Sequence, residues 1–318
     1  MTSVAGTAPA GGVPAGSERA LEATGPRSGG RRRPVLGFVA IVAIGAVLWE
    51  AAKWIGGDPW RFDSFLGTGL SIQHLPPLDW RFASDVNLPH IWDILASFVA
   101  VDANGQTLLE GLLAAAFFTF RGALVGFALG SVVGLGLAVV LVHVRILERS
   151  LVPLIVASQT IPIVAIAPVV VVGLKAGWLG IAIVASYLTF FPVTIAAIRG
   201  MRSADPRAFE LMRAYAASDR TVLWKLRLPA SAPYLFTAFR ISATASVVGA
   251  IVGELPSGIR EGLGGTLLNA MQYYSIQPER LWAALAISAG LGILCFVLVV
   301  LAEHWALRDY RPSEAGAT

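Results

Sequence analysis

Long apolar blocks, interrupted by very few charges, decide what this chain can become. The stretches 35–55, 108–142, 151–174, 178–198, 234–255 and 281–303 each reach the ~20 residues that a helix needs to cross a hydrocarbon layer. Charged residues make up 14% of the chain, against roughly a quarter in soluble domains, too few to coat a soluble surface. Runs of this length fold in lipid as helices, because no water is present to satisfy open backbone groups. The expected fold class is all-α, a polytopic membrane helical bundle of about six transmembrane helices.

The remaining charges give an orientation. With six spans and both the N and C termini cytoplasmic, about seventeen of the 24 Lys and Arg fall on the cytoplasmic side, as the positive-inside bias requires. The expected location is the bacterial cytoplasmic (inner) membrane, multi-pass. A net charge of +4 does not point to nucleic acid, since the basic residues collect at block ends instead of alternating with aromatics on a soluble module. The single Cys295 allows neither an internal disulfide nor a thiol pair for a metal. The four histidines lack ligand spacing. No nucleophile–base pair or P-loop is present, so neither an enzymatic site nor a cofactor site is expected in this chain.

Along the chain, residues 1–34 are rich in Gly, Ala, Ser and Pro, end in Arg31-Arg32-Arg33-Pro34, and are expected to form a disordered basic cytoplasmic tail. A first transmembrane helix follows at 35–55, and an external loop at 56–107 in which Trp60, Trp80 and Trp92 rest in the interface and 91–101 forms a short interfacial helix. The core is expected at 108–307. Its second span is placed at 122–142, with 107–121 near the outer surface. Gly122, Gly126, Gly130 and Gly134 recur every fourth residue and form one smooth stripe, a helix-packing seam. The third span, 151–174, carries Pro153, Pro162 and Pro168 and is expected to be a kinked helix facing the bundle interior. Lys175-Ala176-Gly177 is expected as an outer turn. The fourth span is 178–198 and the fifth 234–255, with a cytoplasmic loop at 199–230 between them. An external loop, 256–280, includes the Gly-rich turn Gly262-Leu263-Gly264-Gly265, and a sixth span and a cytoplasmic tail at 308–318 end the chain.

The loop has internal design. Residues 207–217 favour helix, with Phe209, Met212 and Ala216 on one face and Glu210, Arg213, Ala217 and Arg220 on another. Ser218 is a good N-cap for a second helical piece, which Pro229 stops. Two short amphipathic helices of this kind fit a groove on a soluble partner.

Glu210-Leu211-Met212, Ala216, Leu226 and Leu228-Pro229 stand at the spacing of Glu-Ala-Ala, three residues, Gly, nine residues, Ile, one residue, Leu-Pro. The segment thus resembles the "EAA" loop of ABC importer permeases, with Ala216 replacing the loop's glycine. If that position needs a positive φ, alanine there carries a steric penalty of about 1 kcal/mol. Ser158-Gln159-Thr160-Ile161-Pro162, Ala167-Pro168, Arg227-Leu228-Pro229-Ala230 and Gly249-Ala250-Ile251-Val252-Gly253-Glu254 are similar to the nitrate/sulfonate/taurine-type branch, which includes permeases for thiamine-precursor pyrimidines and riboflavin.

The resemblance implies a type I ABC importer permease-like fold. It also implies a cytoplasmic ABC ATPase dimer that binds ATP and Mg, a second permease chain (the same or a related one), an external solute-binding protein, and surrounding membrane lipid. The ATPase-docking loop would comprise Glu210, Leu211, Met212, Arg213, Ala216, Ser218, Leu226, Leu228 and Pro229. Polar groups at membrane depth mark a candidate pathway at Gln159, Thr160 and Glu254, although Glu254 could equally reach the interface. Ser242, Thr244 and Ser246 are expected to satisfy backbone carbonyls, and Arg240 to snorkel. The alternative is a secondary transporter or channel subunit, which predicts intramembrane acids and inverted repeats. The span centres lack such acids.

Overall fold

The computed structural model describes residues 32–62, 72–101, 105–173 and 177–308. The tail expected at 1–34 falls outside these except for its last three residues, as does the tail expected at 308–318 except for Arg308. Lys175-Ala176 of the expected outer turn is also outside them.

The first helix, α1 (Arg32–Gly56), carries Glu50 and Lys53 within its apolar run. Both charges are answered by the segment that follows it. Glu50 accepts from His90 Nδ1 and from the Ile91 N–H, each at 2.8 Å. Lys53 is fully buried, paired with Asp85 and donating to the Ala83 carbonyl. Trp49 donates to the Pro89 carbonyl at 2.9 Å. The segment after α1 is therefore built onto it. It contains a short antiparallel hairpin, β1 (Trp60–Phe62) with β2 (Ile72–His74), and a helix α2 (Ile91–Val99) at the place read as an interfacial helix.

Then comes α3 (Leu108–His143), opened by a full capping box: Thr107 Oγ1 accepts from the Glu110 N–H and Glu110 accepts from the Thr107 N–H. Its 36 residues extend about 54 Å at 1.5 Å per residue, nearly twice the hydrocarbon thickness. The division at residue 121 is thus not a break, and one rod runs from the outer region through the span. Helices α4 (Arg145–Ser158) and α5 (Ile163–Val171) follow, then α6 (Trp178–Arg202), α7 (Pro206–Ala214), α8 (Asp219–Val222), a π-turn at Leu223–Arg227, α9 (Leu228–Glu254), α10 (Leu263–Gln272) and α11 (Pro278–Ala306).

The centre of the molecule is α3, α6 and α9. Alanines recur in their contacts, Ala115, Ala123, Ala185, Ala243 and Ala250 in one cluster and Ala138 and Ala197 in another, beside larger residues such as Ile181, Leu141 and Met201. Among the described residues, five helices are long and apolar enough to cross a membrane, and six if the bent pair α4–α5 is one span.

That pair departs from expectation. The third span is not one kinked helix but two helices bent by 93°. Pro162 has no N–H to continue the ladder and disfavours helical geometry in the residue before it, and it serves as the N-cap of α5. Pro153, Pro168 and Pro192 stay inside helices. The carbonyls freed at the break find partners: Thr160 Oγ1 donates to Ala157, Ser158 Oγ to Ile155, and the Tyr187 hydroxyl to Ser158. The stretch 256–280 is also not a plain loop, because α10 lies within it.

Candidate functional site

The segment between α6 and α9 starts with Asp205, whose side chain caps α7 by accepting from the Arg207 N–H at 2.8 Å, with Pro206 in the first turn. The end of α7 answers the question of Ala216. The Ala217 N–H donates to the Met212 carbonyl and the Ala216 N–H to the Arg213 carbonyl, each at 2.9 Å. This is the Schellman arrangement, whose pivotal residue lies in the left-handed region and is usually glycine. Ala216 has φ of 49° there, the only positive φ outside glycine among the described residues.

Ser218 caps α8, accepting from the Thr221 N–H. Pro229 does not stop this piece. Helix continues through the π-turn into α9, giving a single rod from Asp219 to Ser257. The π-turn explains how. The Leu228 N–H reaches back five residues to the Leu223 carbonyl, so the ladder shifts register just where Pro229 has no N–H to give. Leu223 and Leu228 pack on the α3–α6 core, and the Arg227 guanidinium lies over the Phe209 ring at 5.1 Å, tying α7 to the rod.

Glu210, Leu211, Arg213, Ala216, Ser218 and Pro229 are exposed, while Met212, Leu226 and Leu228 are half-buried. Leu211, Tyr215 and Trp224 are more than half exposed and make an apolar tip. Tyr215 and Trp224 had no part in the sequence pattern. Their signal is one of type only, large aromatics in an otherwise polar loop.

The other candidates divide. Gln159 and Thr160 lie exposed at the α4–α5 break, and no hydrogen bond joins them to Glu254 among the described residues. Glu254 is enclosed by the bundle. It is 1% exposed, and its Oε2 accepts from the Gly264 N–H at 2.7 Å and from Thr119 Oγ1 at 3.0 Å. Thr119 Oγ1 in turn accepts from the Leu263 N–H at 2.9 Å. Two spans thus cap the first turn of α10 through side chains, in place of Gly262, which has none. Gly262 to Gly265 is accordingly not a turn but a helix start, and its glycines make room. A Cβ on Gly262 would fall inside the Glu254 carboxylate, and one on Gly264 would meet the Ile251 carbonyl at 2.6 Å.

Gly122, Gly126, Gly130 and Gly134 all face α6. A Cβ on Gly130 would lie 2.6 Å from the Ser186 carbonyl and one on Gly134 2.6 Å from that of Phe190. Ser242, Thr244 and Ser246 donate to backbone carbonyls. Arg240 does not snorkel freely; both its Nε, at 2.6 Å, and its Nη2 donate to Glu303.

Residues 126–308, more than half of the chain, match the family of binding-protein-dependent transport system inner membrane components. The chain belongs to this family. It is an inner-membrane permease component of an ABC importer and crosses the membrane several times. Family membership speaks against a secondary transporter or channel. Two similar proteins are the formylaminopyrimidine transport permease protein ThiX of Halalkalibacterium halodurans, 34% identical over 185 residues (57% of this chain and 71% of that one), and the riboflavin transport system permease protein RibX of Chloroflexus aurantiacus, 34% identical over 166 residues (52% and 61%). The family match begins inside α3, after α1 and the segment built on it.

Proposed function

We propose that the segment 207–229 is the surface on which a cytoplasmic ATPase subunit docks, and that ATPase closure reaches the membrane through the rod Asp219–Ser257. The observation that carries this is the positive φ of Ala216. It occupies the position where the docking-loop pattern has glycine, so the local geometry matches even where the residue does not. The exposed tip of Leu211, Tyr215 and Trp224 supplies apolar area for a groove. The rod has no loop to absorb a push. Its 39 residues span about 58 Å and carry Glu254, hence α10, at the far end. A displacement at Ser218 would be delivered to the opposite side of the membrane.

ATP and Mg belong to the ATPase dimer in this reading, a second permease chain completes the pathway, and an external binding protein delivers the solute. The two relatives above are named for nitrogen heterocycles, and we place the substrate in that class of small solutes. Gln159 and Thr160, exposed where the third span breaks, are the pathway candidates. The test is co-purification of the ATPase with wild-type chain and with Glu210→Lys. The variant should insert normally and lose most of its ATPase; equal recovery would refute docking at this loop.

A further inference from the structure

A cavity of about 830 Å³ lies at the root of the docking segment, between the start of α4, the end of α6, α7 and the π-turn. That volume is within the range of small-ligand sites. Five arginines line it against two glutamates, leaving three positive charges uncompensated. Arg202 pairs with Glu148 and Arg227 covers Phe209. Arg145, Arg149 and Arg213 make no ion pair among the described residues. They come from two different elements, α4 and α7, and line one space. Several guanidinium forks converging from different directions suit a group with oxygens on several faces, which is phosphate rather than a planar carboxylate.

The rest of the wall says where the phosphate comes from. Val142, Val152 and Pro153 make one side apolar. From there α4 presents an apolar outer stripe, with Ile146 77%, Leu147 39% and Leu154 65% exposed. A soluble anion has no use for that surface, whereas acyl chains leaving the cavity would lie along it. We propose that this cavity holds the phosphate headgroup of an anionic phospholipid from the leaflet on the docking side, bound by Arg145, Arg149 and Arg213. The lipid then touches both α4 and the helix that carries Glu210, and occupancy would set how firmly α7 is held against the bundle. Lipid binding itself does not depend on the ATPase docking there.

The test titrates the full-length permease, purified with its ATPase, with phosphatidylglycerol and with phosphatidylcholine, reading bound lipid by native mass spectrometry. Wild type should prefer phosphatidylglycerol. Each arginine near an anionic headgroup contributes about fivefold in affinity, so Arg145→Gln/Arg149→Gln/Arg213→Gln should lose about a hundredfold and Arg149→Gln alone about fivefold. Arg207→Gln/Arg220→Gln, which removes two basic residues of the same loop outside the cavity, should bind as wild type. Retention of phosphatidylglycerol by the triple variant would overturn the proposal. So would equal losses in the control pair, which would mean general surface charge. Displacement of the lipid by millimolar inorganic diphosphate would assign the cavity to a soluble anion instead. Loss of ATPase from Tyr215→Ala/Trp224→Ala, two docking-segment residues outside the cavity wall, with lipid retained would leave the lipid site standing, so failure of the docking reading and of this one are read apart.

Discussion

The Glu254 cradle makes a claim that can be tested through a methyl group. Adding a Cβ at Gly262 places it within the Glu254 carboxylate, whose Cδ and two oxygens are its three nearest neighbours. Overpacking of this kind costs about 1–3 kcal/mol, and moving the carboxylate aside to relieve it orphans the Gly264 N–H and the Thr119 hydroxyl, at about 1–3 kcal/mol for a buried donor. Gly262→Ala should therefore cost about 1–3 kcal/mol from overpacking alone and about 2–6 kcal/mol where a donor is orphaned as well. Truncating Glu254 to alanine removes the three atoms nearest the new methyl, so in that background Gly262→Ala should cost less than about 0.5 kcal/mol, as for independent sites.

Gly264 supplies the contrast. Its added Cβ would meet Glu254 Cβ and the Ile251 carbonyl, each at 2.6 Å, and both atoms survive Glu254→Ala. Gly264→Ala should be costly in either background. The assay is thermal unfolding of the three single variants and the two double variants in one detergent, where about 1 kcal/mol corresponds to roughly 1.5 °C for a chain of this size. Hydrogen exchange over α10 shows whether the loss is local. An equal penalty for Gly262→Ala with and without the Glu254 side chain would refute the claim that these glycines exist to admit the carboxylate.

Two further outcomes follow from backbone geometry. Ala216→Gly should stabilise the loop: relief of left-handed strain is worth about 1 kcal/mol and the extra chain entropy takes back about half of it, so a gain of about 0.5 kcal/mol is expected in the hydrogen-exchange protection of α7. In the α3–α6 seam, Gly130→Ala drives a methyl onto the Ser186 carbonyl and Thr189 and should cut the yield of folded, monodisperse protein, while Gly136→Ala, which meets nothing within 4 Å, should leave that yield unchanged.

What the sequence made legible was whatever depends on short spacings. Blocks of apolar residues are spans because bilayer thickness sets their length. The four-residue glycine period is a seam because helical geometry puts those positions on one face. The interval from Glu210 to Pro229 carries its geometry even with alanine at the pivotal position. Prolines were harder. Pro153, Pro168 and Pro192 lie within helices while Pro162 opens a 93° bend, and the residue type is the same in each. The difference is in the neighbours. Tyr187, from another span, takes up the Ser158 carbonyl. Pro229 was read as a stop because a register shift by one residue leaves no trace in composition.

Glycine shows why the remainder was hidden. It serves here for three unrelated reasons. In α3 it allows two backbones to approach. At Gly262 it admits a carboxylate from a different helix. At the end of α7 its left-handed freedom is wanted and alanine is found instead. Only the first cause is periodic, so only the first could be read. The second depends on Thr119 and Glu254, 135 residues apart, meeting at the start of α10, and no local pattern encodes that meeting. The external glycines therefore looked like a turn, and Glu254 like a residue seeking water. Once paired, they explain each other: the carboxylate is tolerated in the bundle because the Gly264 N–H and the Thr119 hydroxyl, itself held by the Leu263 N–H, donate to it, and α10 begins with glycines because that carboxylate occupies the space a side chain would need.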